Sequence, residues 1–82
     1  MKLNQEQLAQ LHEAAKVLRG TVEKFADTED VVVMWASLNP EEDQATSGIT
    51  LGDAVSQKSL SLMSFNLLGR AYNMLEDEPL NS

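Results

Sequence analysis

The chain has no cysteine in its 82 residues and a single histidine, His12. Without cysteine there are no disulfides and no thiolate zinc sites, two common staples of chains this short. Aromatic residues are few: one Trp, one Tyr and two Phe. No apolar run approaches the ~18 residues of a membrane span, and the opening "MKLNQEQLAQ" is too polar for a signal peptide. A cytoplasmic protein with no membrane contact is therefore expected. The most informative absence is of charge of one sign. Between Phe25 and Gln57 there is no lysine or arginine, yet there are seven acids: Asp27, Glu29, Asp30, Glu41, Glu42, Asp43 and Asp53.

The rest of the chain carries six acids against six bases, so the whole net charge of −7 lives in that middle third. Direct nucleic-acid binding needs basic side chains that displace phosphate counterions, and this composition argues against it. A hydrophobic fraction of 43% argues for a folded chain. Its length allows one domain, residues 1–82, with about 77–82 ("DEPLNS") expected as a frayed acidic tail.

Asn4 followed by Gln7 fits a capping box, a variant of the usual Ser or Thr form. From there Leu8, Leu11, Ala15, Leu18, Val22 and Phe25 recur at alternating spacings of three and four, which predicts a first helix packed along one seam. Gly20 weakens that helix or marks a close approach. "ADTED" ends it.

Val31 to Leu38 is the clearest strand, with Val31, Val33, Trp35 and Ser37 on one face and Val32, Met34, Ala36 and Leu38 on the other. Neither face is polar, so cover on both sides is expected. Asn39-Pro40 stops it. "EEDQATSG" reads as a loop and "GITL" (48–51) as a short second strand, giving a connection of eight to ten residues. Gly52-Asp53 reads as a turn, with Asp53 capping a second helix from about Ala54 to Glu76. "SLSLMSF" also alternates like a third strand, but Leu60, Met63, Leu67, Ala71 and Met74 continue at helical spacing beyond it. The polar stripe of that helix is narrow: Ser59, Asn66, Arg70, Asn73 and Asp77.

The expected fold is a small α+β domain of order α-β-β-α, with two helices packed on a short antiparallel hairpin. Four elements cannot easily bury this much apolar surface, so completion as a homodimer is expected.

Catalytic constellations are missing. His12 lies one position past the helix seam beside Glu13, as a flanking surface residue would. The seven serines show neither a G-x-S-x-G elbow nor an S-x-x-K motif, and "GITLG" lacks the Lys-Ser/Thr of a phosphate loop. The eight-residue strand separates the two acidic clusters by about 26 Å, so they cannot share one cation. If the strands pair, Asp53 returns near Asp27 and Asp30, yet without EF-hand spacing; a solvated acidic surface is the commoner outcome, and neither metal nor cofactor is expected.

What remains is recognition. An acidic surface without bases steers basic partners toward it and can occupy a groove shaped for phosphate. In size and charge the chain resembles small phage accessory proteins that inhibit host defence by occupying a basic nucleic-acid groove, a likeness of bulk properties only. The expectation is a non-enzymatic module or inhibitor that docks on a basic partner protein through Asp27, Glu29, Asp30, Glu41, Glu42, Asp43 and Asp53. The alternative is a homodimer with a small-ligand pocket at its interface, contacted by Trp35, Arg70 and Tyr72.

Overall fold

The computed structural model of the chain describes residues 3–80. They form α1 (Gln5–Ala26), β1 (Val32–Asn39), β2 (Gln44–Leu51) and α2 (Gln57–Leu80), an α-β-β-α order around one two-stranded antiparallel sheet. No helix among the described residues is long and apolar enough to cross a membrane.

α1 starts where its capping box places it. The Asn4 side chain accepts from the Gln7 amide at 2.8 Å, and the Gln7 side chain accepts from the Asn4 amide at 3.0 Å. Its inward face differs from the expected seam. Leu8 and Leu11 are half-buried and Ala15 is buried, but Leu18 stands exposed and Phe25 is 80% exposed. A strict three-four repeat drifts around a straight helix by about 20° per heptad, so its later members rotate off the sheet. Arg19 takes the sheet-facing position instead. Its Nη1 donates to the Thr50 Oγ1 and to the Leu51 carbonyl, the latter at 2.9 Å. Nothing lies within van der Waals reach of a Cβ built at Gly20, so within this chain it marks no close approach.

The strands pair along their full length, from Val32 opposite Leu51 to Asn39 opposite Gln44. The connection is thus four residues, Pro40 to Asp43, and the expected eight- to ten-residue loop is corrected. Gln44 to Ser47 carry weak intrinsic strand signals; their extended state comes from the ladder with Leu38 and its neighbours. The turn is closed locally. Asn39 Oδ1 accepts from the Glu41 amide at 3.0 Å, and Asp43 adopts a left-handed conformation (φ 52°), which aspartate tolerates better than most residues.

α1 closes one face of this hairpin, where Val33 and Trp35 lie beside Gly48 and Thr50. The Trp35 ring lies across Gly48, where an added Cβ would come within 2.5 Å of Nε1. The other face is only partly covered. Met63, Asn66 and Leu67 of α2 border an open hollow with Val22, Ala26, Val31 and Val32, and Ser64, Leu67, Leu68 and Ala71 border a second one beside Met34. Leu38 and Ile49 on that face are 65% and 57% exposed. The two-sided cover expected for β1 is therefore achieved on the α1 side only. Among the described residues Ala15, Val31, Thr50 and Gly52 are buried, and no side chain is fully enclosed.

α2 begins at Gln57, not at Ala54, and Asp53 is not its cap. The amides that follow Asp53 are already engaged: Ala54 donates to the Glu29 carbonyl, Val55 closes a turn onto Gly52, and Ser56 donates to the Ser59 hydroxyl. Gly52 is required here, because a side chain would run into the Glu29 carbonyl. Ser56 caps instead. Its Oγ accepts from the Ser59 amide at 3.1 Å, while the Ser59 Oγ accepts from the Ser56 amide at 2.8 Å. Ser59 to Phe65 are helical, which settles the strand-like alternation in favour of the longer repeat. Residues 77–80 of the expected tail continue the α2 backbone, and 81–82 lie outside the described residues.

This cap assignment is tested by two substitutions read in urea denaturation. Ser56→Ala should cost about 1 kcal/mol of stability, whereas Asp53→Ala should change it by less than about 0.5 kcal/mol.

Candidate interaction surface

The acids of the middle segment are sorted by the hairpin into two groups. Asp27 is the α1 C-cap in a left-handed conformation (φ 54°, ψ 48°) with its amide on the Glu23 carbonyl, and Thr28 donates to the same oxygen at 3.2 Å. The Thr28 Oγ1 then accepts from the Asp30 amide at 3.0 Å. These bonds hold Asp27, Glu29 and Asp30 at the end of the sheet where β1 begins. The Gly52 and Ala54 amides, bound to Val31 and Glu29, bring Asp53 to the same end, as strand pairing requires. Glu41, Glu42 and Asp43 occupy the turn at the opposite end, all three exposed.

Among the described residues none of these seven carboxylates pairs with a base. The one ion pair among the described residues joins Arg19 Nε to Glu23 Oε2 at 3.7 Å, within α1. Asp27, Glu29 and Asp53 are exposed, while Asp30 is half-buried, and its Oδ1 is buried with no hydrogen-bond partner. Asp30 borders the hollow shared by Val22, Val31, Met63 and Leu67 with Thr28 and Asn66. Among the described residues no three carboxylate or histidine side chains converge on a point where a cation could sit. His12 is exposed on α1.

Trp35, Arg70 and Tyr72 are not brought together. Trp35 lies under α1 across Gly48. Arg70 and Tyr72 are two residues apart on α2, hence about 160° apart around its axis after the shorter arc is taken, and both are exposed. Neither borders the hollows beside the sheet, which are lined by Met63, Leu67, Leu68 and Ala71. No shared pocket is formed by the three.

Two features escaped the sequence reading. Arg19 sits four residues after Ala15 and three before Val22, so its place on the sheet-facing line was visible in the spacing, but its charge masked it. The unpartnered oxygen of Asp30 left no sequence signal, because burial without a donor is decided by tertiary surroundings.

A half-buried carboxylate without a donor, beside three like charges, is destabilising. Asp30→Asn should therefore raise stability by about 1 kcal/mol in urea denaturation, and a loss of stability would show that the charge has a stabilising partner. Comparison of the chain with protein-family models, curated proteins and solved structures returned no significant match.

Proposed function

We propose that this protein is a non-enzymatic interaction module that docks on a basic partner protein through the acidic ends of its hairpin. The observation that carries this reading is that seven carboxylates, six of them exposed, stand at the two sheet ends with no basic side chain among the described residues paired to any of them. Internal ion pairs would have neutralised the field; here it projects outward, where it accelerates encounter with a positive surface. The turn presents its three acids on a short, hydrogen-bonded loop, which limits the ordering cost of binding.

A basic surface complementary to such a cluster is the kind that proteins handling DNA or RNA use to hold phosphates. The module would act there as a competitor for nucleic acid, an inhibitory role. A small-ligand role has less support, since Trp35, Arg70 and Tyr72 do not share a pocket.

The test is capture from a lysate of the organism that encodes the chain, followed by affinity measurement with the recovered protein. Affinity should fall steeply as salt rises, and duplex DNA should compete. Replacing Glu41, Glu42 and Asp43 by Ser should weaken binding about tenfold or more and flatten the salt dependence. Binding that is indifferent to salt and to the triple substitution would refute the proposal.

A further inference from the structure

The apolar surface of α2 raises a separate question, because the acids lie elsewhere. The chain exposes 6891 Å², whereas a closed monomer of 9.0 kDa exposes about 4,900 Å². Its radius of gyration is 15.1 Å, against about 12 Å for a compact domain of 82 residues. The excess is about 2,000 Å² per chain. A two-fold pair that removed it would bury about 4,000 Å² in total, within the roughly 2,000–5,000 Å² of obligate homodimers.

α2 shows where the second chain belongs. The line Leu60, Met63, Leu67, Ala71, Met74 is turned to the chain's own hairpin, as Met63, Leu67 and Ala71 bordering the two hollows show. A second line, Ser61, Phe65, Leu68, Tyr72 and Leu75, repeats at spacings of four and three beside the first, exposed at every member, with Leu68 at the edge of the hollow beside Met34. Phe65 is 81% and Tyr72 60% exposed. Such a spacing is the seam of a helix pair.

We propose that α2 pairs antiparallel with α2 of a second copy along this seam, forming a homodimer whose helices also cover the open hairpin faces. Three features fix the register. Phe65 of each copy packs on Leu68 of the other, and the small Ser61 lies opposite the large Tyr72. Lys58 and Glu76 are five full turns apart on one line of the helix beside the seam, so the same register sets Lys58 of each copy beside Glu76 of the other. Gly69 then has a use. A Cβ built there meets nothing in its own chain, and glycine is unfavourable inside a helix, yet the position adjoins the place where Phe65 of the second copy lands.

Sedimentation equilibrium at micromolar concentrations tests this. The native chain should sediment at twice 9.0 kDa, with a thermal midpoint that rises with concentration. Leu68→Glu should weaken association about 30-fold or more. Lys58→Glu and Glu76→Lys should each weaken it alone, and mixing the two chains should restore a heterodimer, a readout that holds even if Leu68→Glu fails to fold. A native chain that sediments as a monomer would overturn the proposal. So would a Leu68→Glu chain that stays dimeric, or a mixture that restores nothing.

Discussion

The tie between Arg19 and the end of β2 is the constraint on which the rest of the chain depends. A two-stranded hairpin is marginal in water, and α1 is the only element laid along a whole face of it. The α1 residues aimed at that face are small or half-exposed, and Ala15 is its one buried member. One guanidinium compensates by reaching across to the Thr50 hydroxyl and the Leu51 carbonyl. Two donors from a planar group fix both the rotation of α1 and its position along β2. Both bonds come from Nη1, and Nε is poorly served: it lies 3.7 Å from Glu23 Oε2, too far for a hydrogen bond.

That fixed rotation explains the distribution of apolar surface. Once Ala15, Arg19 and Val22 face the sheet, Leu18 and Phe25 fall about 70° and 90° to one flank of that face, where the hairpin does not reach. The same arithmetic acts on α2, whose apolar residues occupy too wide an arc for one thin hairpin to cover. The hydrophobic content of the sequence is thus arranged as two layers with unmatched outer sides. Leu38 and Ile49 on the open sheet face belong to the same imbalance.

Local features of this fold were legible in the sequence because they are decided within a few residues. The Asn4–Gln7 capping box and the apolar β1 are of that kind, and so is the separation of the two acidic groups, which follows from strand length alone. The first half of β2 was not legible. Gln44 to Ser47 are extended because β1 lies beside them, and nothing in "QATS" says so. The start of α2 was ambiguous for a different reason. Asp53 and Ser56 are both good caps, and the choice rests on backbone bonds to Glu29 and Val31, more than twenty residues upstream. The proposed docking acids were legible as residues, but the unpaired state of Asp30 was not, since burial without a donor is a tertiary property.

The length of the hairpin also has an electrostatic consequence. Its eight-residue strands hold the two acidic groups about 26 Å apart, while the screening length at physiological ionic strength is about 8 Å. Each pole is therefore invisible to the other. A cation or a basic surface gathered at the Glu41–Asp43 tip leaves the potential around Asp27, Glu29 and Asp53 unchanged, so the molecule behaves as two independent charges on a rod and not as one diffuse anion.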